Sequence, residues 1–232
     1  ELFVEGLGRG VPAPELPERL RRCLETLRLH ATCIECNLDQ LHSLCHELHR
    51  DFGLDTTPLE LDALNADGED ARAILRRTDI LVTTSLHAAD VKRAAERLGK
   101  PWFAITIGSE LISEMTRLLR DGPVYIIGTD ERVRGKMRTI FQPVSGSENL
   151  HVMIVGQDDL GAIAPDAPTY VMKRVRDVLG ALPNLAHLHP MDRVFSRESA
   201  RELLGFILHA NTTAMAAQMA STPNTDTFLT QR

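Results

Sequence analysis

Three hydroxyls and a histidine, Thr83-Thr84-Ser85 and His87, break into an apolar run that begins at Ile80. Such a run suits a strand covered on both faces, and the Ala/Leu/Val spacing from Leu86 to Leu98 suits a helix packed back onto it. These polar residues then stand at the carboxyl end of a parallel strand, where open α/β sheets bind ligands. A local role competes: Ser85 capping the helix, and the threonines satisfying nearby amides. Cys36 and Asn37 take the same place after an earlier strand, and Thr106, Gly108 and Ser109 after a later one. Hydroxyls, side-chain amides, glycines and helix N-terminal amides hold polar or anionic molecules by hydrogen bonds.

Catalytic chemistry is harder to assemble. A two-lobed racemase needs one cysteine in each lobe to remove and return a proton. Here Cys23, Cys33, Cys36 and Cys45 all lie near the start of the chain, and the position matching Cys36 in the second half is Gly128. Cys36 with His87 forms a conceivable nucleophile pair, with no evident third group to orient it. Phosphate-loop, GxGxxG and HExxH patterns are missing. The chain is therefore expected not to be an enzyme, with no catalytic residue, cofactor or metal assigned. A metal reading of Cys33-x-x-Cys36 with His42, His46 and His49 meets a geometric objection, because strand residues three apart point to opposite faces. The histidines are instead expected along the flank of a helix whose core stripe is Leu41, Leu44, Cys45, Leu48 and Phe52.

The elements that must position these residues alternate. Periodicity predicts a helix over 15–29, a strand over 31–36, and a helix over 38–52 with Asn37 as cap and Gln40 three residues on. A strand over 54–61, a helix over 67–76, a strand over 80–84 and a helix over 86–98 follow. A strand over 101–107 and a helix over 110–119 complete the first half. "GPVYIIGTDERVRGKMRTIF" (122–141) then repeats the strand, cap and helix of "ATCIECNLDQLHSLCHEL", and "LHVMIVG" replaces the second strand. "TYVMKRVRDVLGALPNLAHLHP" (169–190) echoes the stretch from Ile80, with a helix ending Leu-Gly, a proline and another strand. The loop "GQDDLGAIAPDAP" (156–168) stands where the first half has a helix.

The expected architecture is α/β, with two similar parallel-sheet lobes facing a central cleft. Lobe 1 spans 30–121 and lobe 2 spans 122–210, after a linker and connecting helix in 1–29 and before a tail in 211–232. The second lobe would offer Gly128, Thr129 and Asp130, then Gly156 and Gln157, then Lys173 and Arg174, and finally His189. Lys173 stands where the first lobe has Thr84 and could add positive charge; a solvated helix start is its alternative role.

The composition suits a globular domain or two: 232 residues, 43% hydrophobic and 25% charged. A net charge of −6 gives no general attraction to phosphate backbones, and 4% aromatic residues argue against a base-stacking platform. Neither a bilayer-length apolar stretch nor a leader is evident, and the cysteines fit free thiols, so cytoplasmic residence is the expectation. Beginning at Glu1 within an apolar patch, the chain reads as a cut fragment.

"IECNLDQLHSLCHEL", "DILVTTSLHAADVKRAAERLGKPWFAITIGSEL" and "GPVYIIGTDERVRGKMRTIF" resemble the effector-sensing C-terminal portion of some GntR-type bacterial transcription regulators, roughly over residues 30–208. "ELFVEGLGRG" resembles the last wing strand of their winged-helix DNA-binding domain. The resemblance implies a two-lobed, periplasmic-binding-protein-like sensor that binds a small-molecule effector in the cleft and contacts DNA through a domain N-terminal to this chain. It also implies a homodimer with no membrane association. The alternative is a racemase- or decarboxylase-like enzyme acting on a small carboxylate; the remaining possibility, a transporter's solute-binding protein, is disfavoured by the reduced cysteines.

Overall fold

A computed structural model describes residues 2–25, 27–179, 188–191 and 195–221. The chain forms two compact units, one of Leu29–Ala200 and one of 1–28 with 201–232. In the smaller unit, α1 (Leu2–Gly8) and α2 (Leu16–Glu25) precede the larger unit in the chain, and residues 201–221 of the last helix follow it. The wing strand expected at 1–10 is corrected: residues 2–8 are α-helical. The side chain of Leu16 packs against Gly6, and Asn211, read earlier as the start of a tail, is buried with its Oδ1 accepting from Leu27 N at 2.5 Å.

The larger unit carries the alternation. Its first sheet contains β1 (His30–Glu35), β2 (Asp55–Glu60), β3 (Ile80–Thr84) and β4 (Trp102–Ile105), all parallel, in the order β2-β1-β3-β4. Between these strands run α3 (Leu38–Phe52), α4 (Leu61–Ala66), α5 (Glu69–Arg77) and α6 (Ala88–Leu98), and α7 (Ser109–Asp121) follows β4. The second sheet contains β5 (Val124–Gly128), β6 (Leu150–Ile154), β7 (Thr169–Met172) and β8 (Leu188–Met191), again parallel and in the same order, β6-β5-β7-β8. Helices α8 (Arg132–Phe141), α9 (Lys173–Leu179) and α10 (Arg197–Ser221) accompany it. Two parallel sheets with one strand order are the two-lobed α/β architecture expected from the repeated pattern. Gly180 and Pro183 of the predicted helix stop lie outside the described residues, as do 222–232 of the tail.

The local causes are plain. β1 and β3 are buried along almost their whole length, as befits strands with helices on both faces. Asn37 caps α3 by accepting from Gln40 N at 3.0 Å, and its amide donates to Gln40 Oε1. Ile34, Leu75, Leu81 and Val91 form an apolar layer on one face of the first sheet. Ile126, Val133, Phe141, Tyr170 and Val175 lie in the core of the second lobe. α4 escapes the periodicity reading because six residues give too little of a stripe.

After α8 the chain passes through Gly146 at φ 86°, where a Cβ would stand 2.3 Å from the backbone oxygen of Leu119. Both the left-handed backbone and the contact exclude a side chain. Gly146→Ala is expected to lower stability by about 2 kcal/mol or more, read from the midpoint of urea unfolding at an unchanged slope.

Candidate functional site

In each lobe, the first and third strands lie side by side and parallel while the connections that follow them lead to opposite sides of the sheet, the switch point at which open α/β sheets collect polar groups. Cys36 and Asn37 follow β1, and Thr84 to His87 follow β3. Gly128 to Asp130 follow β5, and Lys173 and Arg174 follow β7. The two sets of strand ends meet through buried charges.

At the centre of the first group is Glu35, the last residue of β1 and wholly shielded from solvent. Its Oε1 accepts from Thr84 N at 2.8 Å, and its Oε2 pairs with the ammonium of Lys136 from α8 in the other lobe. Lys136 also donates to Thr84 Oγ1 at 3.0 Å and is itself buried. Buried charges in a low-dielectric interior persist only when paired in this way. His87 Nε2 lies 3.4 Å from Glu35 Oε2, without hydrogen-bond geometry, and is buried with no hydrogen-bond partner.

The half-buried Cys36 completes the group, with the Asn37 amide 3.7 Å from its sulfur. Burial pushes its thiol pKa up, but the His87 imidazole, the Lys136 charge and the Asn37 amide outweigh this and hold it below the ordinary cysteine range. The Cys36 contact raises the His87 pKa in turn; desolvation opposes it and the Glu35 carboxylate assists. Glu35 thus places a carboxylate beside Cys36 and His87, but no hydrogen bond joins it to the imidazole to orient it.

The second group is a reciprocal cap. Asp39, in the first turn of α3, places its carboxylate at the start of α8: Oδ2 accepts from Thr129 N and Asp130 N, both at 2.8 Å, and Oδ1 accepts from Thr129 Oγ1 at 3.0 Å. Asp130 reaches back, its Oδ2 accepting from Leu38 N at 2.9 Å. Gly128 allows this approach, since a Cβ there would stand 3.2 Å from Asp39 Oδ2. Arg174 donates to Thr129 Oγ1 at 3.0 Å, and Arg132 bridges Asp130 and Glu60. The amides of Thr129 and Asp130, in the turn just before α8, are occupied by an anion of the chain's own, Asp39.

Desolvation would raise the Asp130 carboxyl, but the Arg132 guanidinium and the amides of Leu38 and Arg132 bring it down to about 2. Unfolded, it titrates near its ordinary 3.8. The folded protein therefore holds this stabilisation above that pH and loses it as pH falls through about 2. Asp130→Asn is expected to be less stable at neutral pH and to lose stability less steeply on acidification between those two values, as urea unfolding across the range would measure.

Other predicted positions do not join these groups. Thr83 is buried on β3 with its hydroxyl unpartnered, and Ser85 is exposed, in a 3-10 turn, and makes no cap bond. Thr106 donates through N to Ser199 Oγ at 3.0 Å and bonds through Oγ1 to Ser196 Oγ at 2.6 Å; a side chain at Gly108 would meet the Phe195 carbonyl, its Cβ 3.7 Å from the oxygen. Ser109 begins α7. Gly156 and Gln157 are exposed in a turn after β6. Lys173 pairs with Asp177 at 3.2 Å, and His189 stacks on Tyr170. Two of the three histidines of α3 are likewise engaged apart from one another: His42 with Asp177, and His49 with the Leu54 carbonyl.

The expected open crevice is corrected as well. Where the lobes meet, besides the buried charges, is a cavity of about 30 Å³ lined largely by Leu111, Met115, Met137, Phe141 and Met172, with Gln40 and Ser43. The lobes touch directly at their strand ends. Glu35, Asp39 and Lys136 carry this contact, and the sequence reading passed over all three. Each had a signal: a charge ending a buried strand, an acid in the turn that faces the partner lobe, and a lysine on the apolar stripe of Val133, Met137 and Ile140.

No family model and no curated relative matches the chain. Among solved structures, aspartate transcarbamoylase from Trypanosoma cruzi, in its ligand-free form, aligns over 84% of this chain and 82% of its own at 11% identity, with a TM-score of 0.27. A likeness that slight carries neither reaction nor substrate to this chain. The neighbour is nevertheless an enzyme, and the expectation of a chain that is not one is withdrawn on that finding. Among the described residues, no helix is long and apolar enough to cross a membrane.

Proposed function

We propose that the larger unit is the ligand-sensing domain of a GntR-type transcription regulator, periplasmic-binding-protein-like in its two lobes and cytoplasmic as part of a homodimer. It takes a small polar or anionic metabolite where the lobes meet and conveys its presence to a winged-helix DNA-binding domain outside this sequence. The observation that carries the reading is the contact between the lobes. It is made of buried carboxylates facing an ammonium and backbone amides at the strand ends, and an anionic ligand can take the place of those carboxylates on the same donors. A ligand shifts such a contact only by its difference in affinity for the closed and opened arrangements. Calorimetry of the chain against carboxylates, amino acids and phosphorylated metabolites tests it. Stoichiometric binding of one chemical class, weakened by Arg174→Ala, is the expected result; no binding across the panel sinks it.

A second reading, a two-lobed enzyme acting on a small carboxylate, is favoured by the thiol, imidazole and carboxylate gathered at Cys36, His87 and Glu35. A two-thiol racemase is still unavailable, because the second lobe has no cysteine. Conversion of a bound compound that disappears in Cys36→Ala would select this reading; binding that survives Cys36→Ala without conversion in either protein would select the first.

A further inference from the structure

The donor atoms of Glu35, Cys36 and His87 lie within 4.8 Å of one another, at the switch point of the first sheet. We propose that these three residues bind a divalent cation of the zinc or cobalt class. A tetrahedral ion with a thiolate at about 2.3 Å and nitrogen and oxygen donors at about 2.0–2.2 Å sets neighbouring donors roughly 3.3–3.6 Å apart. The 3.4 Å between His87 Nε2 and Glu35 Oε2, too poorly aligned for a hydrogen bond, is that separation. His87 Nε2 is also buried without a hydrogen-bond partner, an arrangement that a metal bond would satisfy.

The donor set selects the ion. One sulfur, one nitrogen and one carboxylate oxygen suit a borderline-soft cation, whereas magnesium and calcium take oxygen donors throughout. Lys136 does not close the site. A carboxylate offers about four lone-pair positions, and Thr84 N and Lys136 Nζ take two of those on Glu35. The lysine and the ion would share the charge of Glu35 and of the Cys36 thiolate. With three protein donors the fourth position is left to water or to an anionic donor atom of a small molecule, as at open zinc sites. The cation site stands independently of the regulator reading; where both hold, the ligand is a small anion that completes the ion's coordination.

Reduced, chelator-treated protein titrated with cobalt(II) is expected to develop a thiolate-to-cobalt charge-transfer band in the near ultraviolet at one equivalent per chain, and to lose it on addition of zinc. The band should be missing from Cys36→Ser and present in Cys23→Ser and Cys45→Ser. His87→Gln keeps the thiolate, so it reports even if Cys36→Ser does not fold; its cobalt Kd should rise beyond the roughly 10–100-fold that losing a ligand's outer partner costs. No band in the unaltered protein, a band that survives Cys36→Ser, or an unchanged Kd in His87→Gln overturns the proposal.

Discussion

Lys136→Met is expected to destabilise the protein by about 3–5 kcal/mol, because it strands the Glu35 carboxylate in an interior that water does not reach. Glu35 is wholly buried and Lys136 is 3% exposed at its side chain, so solvent cannot take over the lost partner. The Glu35 oxygens would keep the amide of Thr84 and, 3.4 Å away without hydrogen-bond geometry, the His87 imidazole, which carries a charge only when protonated. Surface pairs in the same protein, such as Arg21 with Glu18, are worth a small fraction of this because water screens them. Adding Glu35→Gln to Lys136→Met removes the orphaned charge, and the double variant should recover most of the loss. Urea unfolding of the four proteins in a double-mutant cycle gives the coupling directly. A Lys136→Met loss below about 1 kcal/mol would place the pair in solvent.

Asp39→Ala is expected to cost about 2–3 kcal/mol and to act at the seam between the lobes. One carboxylate there accepts from Thr129 N, Asp130 N and Thr129 Oγ1, and hydrogen bonds to a buried charge are the strong kind. Asp39→Asn retains an acceptor but puts a donor opposite the amides, so its loss should fall between those of the parent and Asp39→Ala. Paired with Thr129→Ala, the Asp39→Ala effect should be clearly less than additive, since both remove the same bond.

Much of the architecture was legible because short continuous apolar runs give way to an apolar period of nearly four at each strand-to-helix turn, and because the second half repeats the first in order. The first ten residues misled: "ELFVEG" is short and mostly apolar, and an isolated apolar piece of that length fits a strand or a helix turn equally well. The candidate site divided along a different line. Cys36, Asn37, Thr84, His87, Thr129 and Asp130 were visible by type at strand ends. What each does in the fold was hidden, because it depends on residues from the facing lobe. Asp39 read as an ordinary first-turn acid and Lys136 as one of several basic residues in "RVRGKMRTIF". A one-lobe reading has no means of pairing Glu35 with a residue 101 positions away. The closure of the crevice was invisible for the same reason, since side chains of both lobes line the cavity that remains.

Two lobes held together at their strand ends by exchanged carboxylates are tested most directly by amide hydrogen exchange. The amides of Leu38, Thr129 and Asp130 donate to a carboxylate of the opposite lobe. They should exchange slowly in the parent protein, and all three should lose protection together in Asp39→Ala while Ile34 and Ile126, inside their sheets, keep theirs. Free exchange of these three amides in the parent protein would contradict the account.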